Sequence, residues 1–332
     1  VFWTSYFLAV LAIALAWPVP ILLSRAHWPA RSPSTAMLLW QAIALAGGLS
    51  MIGAMLVYGL EPIGDNLIAG LRGLAGMVFR NEPTTELGFW HIFALSAAAL
   101  LSAHLVFTLL LTYYKIQRQR RRHRELLALL ASPSAEAART MVISHDSPVA
   151  YCLPGGARSV TVLSDGLMAA LEPGELRAVL SHENAHLSQR HHLLLWAFAA
   201  WRQALPWLPT TRLAQEAVNS LIEMLADDVA LKTESKATLI KAIAIVASGS
   251  ATGTGPGAAP AARMAFGSSE ADSAQPGATG GAGAMVTTAT RVSRLLSPQP
   301  PLPQALRYAV LAACILLLAA PTALLIVPGL LG

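Results

Sequence analysis

Apolar positions along this chain fall into long unbroken runs, one helical stripe and a few short β-branched stretches. The unbroken runs cover about residues 3–24, 36–60, 92–114 and 306–329. As helices rising ~1.5 Å per residue, each is long enough to cross a hydrocarbon layer about 30 Å thick. Pro18 and Pro20 predict a kink in the far half of the first run. Gly47, Gly48 and Gly53 suit the second to close helix packing. Between the second and third runs, Leu67, Ile68, Leu71, Leu74 and Val78 recur at near-helical spacing. That stripe predicts an amphipathic helix lying at a membrane interface.

After the third run the pattern changes. Glu125 to Leu130 continue a helix, which Pro133 should end. Met141–Ser144 and Ser159–Leu163 read as strands, and Asp165-Gly166 as a turn. A helix then opens after Pro173-Gly174 and meets no breaker until Pro206. Beyond the break at Pro206–Pro209, a second helix is predicted from about 212 to 247. Residues 248–290 are rich in Gly, Ala, Ser and Thr and cannot bury a core, so flexibility is expected there. A brief helical signal returns at Val286–Leu296 before Pro298, Pro300, Pro301 and Pro303.

Composition places this pattern in a membrane. The chain is 55% hydrophobic and 12% charged, with a mean hydropathy of +0.53, well away from the balance of soluble domains. The net charge of +5 does not point to direct nucleic-acid binding, because the basic residues cluster beside apolar runs. Lys115, Arg118, Arg120, Arg121, Arg122 and Arg124 follow the third run directly, which reads as positive-inside. The Arg25/Arg31 loop falls on the same side, and the acidic loop with Glu61, Asp65, Glu82 and Glu86 on the other. The amino terminus is therefore expected outside and residues from about 115 to 305 in the cytosol. The first run lacks a basic lead-in, so a retained span is expected rather than a signal peptide. Cys152 and Cys314 lie in unlike surroundings and suggest no disulfide.

The expected fold is a predominantly α membrane protein with four transmembrane helices. A membrane domain, 1–114, carries three spans and an external loop at 61–91. A cytosolic α+β domain occupies 115–247, and a flexible Gly/Ala-rich linker with a short helix occupies 248–305. The fourth span, 306–329, follows.

The candidate chemistry lies in Ser181-His182-Glu183-Asn184-Ala185-His186-Leu187, which reads H-E-x-x-H on a helix. Residues four apart share a helix face, so His182 and His186 can aim imidazole nitrogens at one ion. Glu183, one position round, can act on a water held beside that ion. Zinc suits such a set, since it accepts imidazole and carboxylate and keeps a position open. A strand just ahead of this helix could lend its edge to an extended substrate. The third ligand is less direct. Two straight helices folded back about Pro206–Pro209 would set Leu231 opposite Asn184, nearer Glu234 than Glu223. Yet Glu223 and Asp227 stand four apart on one face, as a ligand and an acceptor behind it would. His191, His192 and Tyr151 are candidates for an assisting donor.

Taken together these features resemble the membrane metallopeptidases of bacterial antibiotic-sensor transducers, the Bla-type and Mec-type antirepressors. The resemblance rests on Val160–Leu167, on Glu175–His186 and on Glu223-Met224-Leu225-Ala226-Asp227, and the layout of spans extends it over nearly the whole chain. It implies a gluzincin-like zinc endopeptidase with His182, His186 and Glu223 as metal ligands, Glu183 as general base and Asp227 orienting a ligand histidine. With Glu223 as ligand, the chain after His192 should be kinked or irregular. The resemblance further implies a multi-pass protein of the bacterial plasma membrane that acts in signal transduction on a cytosolic protein such as a transcriptional repressor. A sensor partner and a homodimer fit the same picture. None of Lys115, Lys232, Lys236 and Lys241 has Ser three residues before it, so β-lactam acylation of this chain is not expected. A quality-control membrane protease resembling the HtpX and prenyl-protease type is the alternative, and a non-catalytic scaffold ranks last.

Overall fold

The computed structural model describes residues 2–80, 87–133, 139–155, 159–252 and 279–331. The chain divides into two compact units. One comprises Val1–Leu109, Trp201–Ala214 and Leu302–Gly332, the other Leu110–Ala200 and Gln215–Pro301.

The first unit is built from apolar helices. Helix α1, Phe2–Ala16, and α2, Pro18–Ser24, are separated at Trp17, because a residue ahead of proline is pushed out of helical geometry. Helix α3, Pro33–Leu60, is followed by α4, Leu67–Arg80, where the apolar stripe predicted one. Helix α5 runs unbroken from Phe89 to Leu130 and carries the third apolar run. The last helix, Gln304–Leu331, tolerates Pro321 and Pro328 within it. Four helices among the described residues are long and apolar enough to cross a membrane. Their outward side chains include Phe7, Val10 and Ile13 on α1, Phe107 and Leu110 on α5, and Ile315 and Leu316 on the last helix.

Of the three small residues expected to bring helices together, only Gly53 takes that place in full. A methyl added there would meet Leu325 at 3.0 Å and Leu8 at 3.4 Å, whereas Gly48 meets nothing within 4 Å. His104, in the middle of the third run, is bonded through Nε2 to the carbonyl of Ala204 at 3.0 Å, so it closes the end of a helix.

The second unit holds a four-stranded sheet in the order β1-β2-β4-β3. The strands are β1, Ala131–Pro133, β2, Thr140–Ile143, β3, Ala150–Leu153, and β4, Val160–Ser164. β2 and β4 are parallel, while β1 and β3 pair antiparallel with them. Pro133 does not end α5 from within. The helix stops at Leu130, and the proline sits in edge strand β1, where a missing donor is tolerated. β4 lies between two neighbours, so the expectation that its edge receives a substrate is corrected: among the described residues the sheet's edges belong to β1 and β3.

Successive strand residues point to opposite faces. Tyr151, Leu153 and Val162 pack with Leu127 of α5 on one face. On the other, Leu163 joins Leu167, Ala178, Val179, Ala230, Leu239 and Ile243. Burying each large apolar side chain contributes about 1.5–3 kcal/mol, which anchors the site helices to the sheet.

Asp165-Gly166 is not a free turn. It opens α6, Asp165–Ala170, whose first turn is capped by Ser164 Oγ accepting from Leu167 N at 3.1 Å. Helix α7, Pro173–Ser188, starts with proline at its first position, and Glu175 Oε2 accepts from Glu172 N at 2.9 Å. The expected long helix to 203 breaks at Arg190, whose φ of 53° is left-handed. Helix α8, His191–Ala204, starts there. The irregularity expected after His192 thus falls just before His191.

The single helix expected over 212–247 is two helices, α9, Pro209–Ala230, and α10, Lys236–Thr252. Much of the expected flexible segment, 253–278, lies outside the described residues. The described part is more ordered than expected: α10 continues to Thr252, and α11 spans Thr279–Leu296. The final helix described above is α12.

Candidate metal centre

Three elements converge on one point: α7 brings His182, Glu183 and His186, α9 brings Glu223 and Asp227, and α11 brings Arg291. One ligand atom from each of His182, His186 and Glu223 lies within 4.8 Å of the others. The closest separations are tighter. His182 Nε2 is 3.2 Å from His186 Nε2, Glu223 Oε2 is 3.4 Å from His182 Nε2, and Glu223 Oε1 is 3.6 Å from His186 Nε2. A tetrahedral ion with bonds of about 2.0–2.1 Å has edges of about 3.3–3.4 Å, so the spacing and the donor set both fit zinc.

The two Nε2 atoms turn toward each other and toward Glu223, and other groups lie behind the rings. Asp227 Oδ1 lies 3.0 Å from His182 Nδ1, close enough to favour a proton there, although off the line of the N–H bond. On the far side of His186, His191 Nδ1 is 3.1 Å from His186 Nδ1. His191 Nε2 in turn donates to Gln189 Oε1 at 2.9 Å. That donation leaves His191 Nδ1 as the acceptor and puts the His186 proton on Nδ1. A ligand histidine is commonly oriented this way from behind.

Arg291 locks the acidic side. Its Nη1 is 2.9 Å from Glu223 Oε2, while Nε and Nη2 donate to Asp227 at 2.8 and 2.7 Å. One turn away, Arg294 Nη2 holds Asp228 at 2.8 Å. Burial works against charge on Asp227 and Glu223, but the bonds to His182 and the Arg291 guanidinium outweigh it and hold both carboxyls low. Burial likewise opposes a charged His182, yet Asp227 and Glu223 raise it to about 9. His186 is instead pushed down to about 3, chiefly by burial. Two carboxylates and one guanidinium therefore form a charged frame around two imidazoles.

Glu183 is 6% exposed and stands apart from this frame. Its Oε2 has no hydrogen-bond partner, and its carboxyl is raised, first by burial and then by Glu223. Burial, and then the neighbouring Glu183 carboxyl, push the Cys152 thiol of β3 up. A buried carboxylate oxygen without a protein partner beside three convergent ligands is what a proton acceptor for water requires.

The structure gathers His182, Glu183, His186, Glu223 and Asp227, and it leaves Glu234 aside. Glu234 sits in the turn after α9 and pairs with Arg177 Nε at 2.9 Å. The three candidates for an assisting donor separate. Tyr151 is packed under the sheet with its hydroxyl on His123 Nε2 at 2.7 Å. His191 is 2% exposed and supports His186. His192 is on α8, its Nδ1 buried without a hydrogen-bond partner. The sequence reading missed Arg291, Cys152 and the role of His191. Arg291 had one signal, a pair of basic residues three apart on the brief helical stretch matching the Asp227-Asp228 pair.

Residues 116–224, about a third of the chain, match the family model of Peptidase family M48. The matched stretch runs from the last part of α5 through the sheet and α7 into α9, stops short of Asp227 and α11, and contains all three candidate ligands. It supports a metallopeptidase and does not single out the antirepressor group. No curated protein and no solved structure matches the chain.

Proposed function

We propose that this chain is a membrane-embedded zinc endopeptidase that cleaves a cytosolic protein, with a transcriptional repressor in a signalling pathway as the favoured substrate. The observation that carries the reading is the His182–His186–Glu223 triangle, with ligand spacings near the edges of a zinc tetrahedron and an unpartnered Glu183 oxygen beside it. His182, His186 and Glu223 hold the ion, and Asp227 and His191 fix the two imidazole tautomers. A zinc ion bound there would acidify a water and polarise the scissile carbonyl. Glu183 would take a proton from that water at its unpartnered oxygen as the water oxygen bonds the carbonyl carbon, and would return it to the amine nitrogen as the C–N bond breaks. Its raised proton affinity makes it a stronger base once ionised. The free edge of β3, on the strand that carries Cys152 toward Glu183, is the place for an extended substrate backbone. The membrane setting is that of the bacterial plasma membrane, with the peptidase unit in the cytosol.

The test is Glu183→Gln. The amide keeps the ligands intact and cannot take a proton, so bound zinc should stay at the wild-type level. Cleavage, followed by chain-wide proteomics of cells making either form, should fall by about 100-fold or more. Wild-type cleavage by this variant would refute the mechanism. The same proteomics separates the quality-control reading, which the match to Peptidase family M48 leaves open. One cleaved regulator supports signalling, and many cleaved membrane proteins support quality control.

A further inference from the structure

A second group of polar side chains lies where α5 passes α8, apart from the candidate ligands. Arg120 is 7% exposed although it belongs to the basic block after the third apolar run. Its Nε has no hydrogen-bond partner, and neither has Arg124 Nε one turn on, nor His192 Nδ1 on α8. Arg124 spends one nitrogen on the carbonyl of Pro154. The Tyr113–Trp196 ring contact sets α8 against α5, with His192 one turn before Trp196 and Arg120 two turns after Tyr113. Among the described residues no acid pairs with Arg120 or Arg124, whereas Arg177, Arg291 and Arg294 each hold a carboxylate. A buried guanidinium without a counter-charge is costly, and the half-buried Arg124 one turn on along the same helix face repels it further. An oxyanion supplies what the protein does not.

The depth of the group says which oxyanion. Tyr113 and Tyr114 close the apolar run, and the Tyr113 ring packs on Trp196 of α8 at 5.3 Å between centroids. Such aromatic pairs settle at the membrane–water boundary. Arg120 follows Tyr113 by seven residues, or about 10 Å along a helix, which is headgroup level. Arg118, Arg121 and Arg122 are exposed around it. They attract an anionic surface without being desolvated by it.

We propose that Arg120, Arg124 and His192 form a binding site for the phosphate of an anionic phospholipid headgroup. The two guanidiniums donate to phosphate oxygens in the paired geometry that arginine favours, and His192 completes the shell. The site rests on reading α5 as a membrane span, and on nothing in the peptidase mechanism.

The test uses full-length protein, delipidated in detergent, with the unfolding temperature as readout. Phosphatidylglycerol, phosphatidylcholine of the same acyl chains and inorganic phosphate are titrated separately. Wild type and Glu183→Gln should both be stabilised by phosphatidylglycerol, and less by phosphatidylcholine. Arg120→Gln and Arg124→Gln should each bind it about tenfold or more weakly. A triple Arg118→Gln, Arg121→Gln, Arg122→Gln variant should keep near-wild-type binding at high salt, where exposed charges are screened. Unchanged binding in both single variants overturns the site, and equal stabilisation by inorganic phosphate overturns the lipid assignment. Alkaline extraction of membranes reports separately on whether the chain is embedded, so failure of that premise is distinguishable.

Discussion

At the scale of single residues, the third ligand shows how much depends on a few side chains. Glu223 faces both histidines, while Glu234 holds Arg177. Glu223→Ala should therefore lose bound zinc, and Glu234→Ala should retain it, as measured by metal analysis of the purified proteins. Loss only in the Glu234 variant would sink the assignment. His192 carries a pH dependence. Its imidazole sits at about 4 in the folded chain, below the ordinary value near 6.5. The unfolded chain therefore takes up the proton first as pH falls. The stability that neutral His192 contributes is complete above about pH 6.5 and is lost progressively toward about pH 4. The unfolding midpoint of the metal-stripped protein should drop between pH 7 and 5, and His192→Gln should reduce that drop. Parallel pH curves for the two would count against the burial of this group.

At the scale of elements, the site depends on three helices from separate parts of the chain, and α11 is the one no motif announced. Arg291 neutralises Glu223 and Asp227 together, while Arg294 anchors the same helix on Asp228 farther out. Removing the first should disturb the metal; removing the second should mainly loosen the helix. Arg291→Gln is expected to weaken zinc binding by about 10–100-fold in a chelator competition, the usual effect of losing a group that orients a ligand. Arg294→Gln should weaken it much less. Equal losses would show that docking of α11 matters and the Arg291 charge does not. The break at Arg190 belongs to this scale too. It ends α7 directly after the second histidine's turn and lets His191 come back under His186.

At the scale of the whole molecule, charge asymmetry across the loops predicts an external α4 loop and a cytosolic peptidase unit. With Cys152 and Cys314 replaced, a cysteine at position 75 should react with an impermeant reagent added outside intact cells, and one at position 270 should not. The reverse pattern would overturn the orientation. The apolar spans, the amphipathic α4, strands β2 and β4 and the H-E-x-x-H pair were legible in the sequence, because each depends on local periodicity and spacing alone. The edge strands β1 and β3 were not, since neither Ala131–Pro133 nor Ala150–Leu153 holds the β-branched residues that mark β2 and β4. Glu223 as the candidate third ligand was legible through its spacing to Asp227 and through resemblance, against straight-helix arithmetic that favoured Glu234; the left-handed Arg190 with the gap between α9 and α10 undid that arithmetic. By itself the sequence determined a membrane chain with one candidate metal helix. The tertiary structure decided which carboxylate faces that helix, that Arg291 neutralises it, and that His191 stands behind His186. Contacts that reach from α7 to α9, from α9 to α11 and back across the break at Arg190 are set by packing and by the pairing of buried charge, not by local spacing.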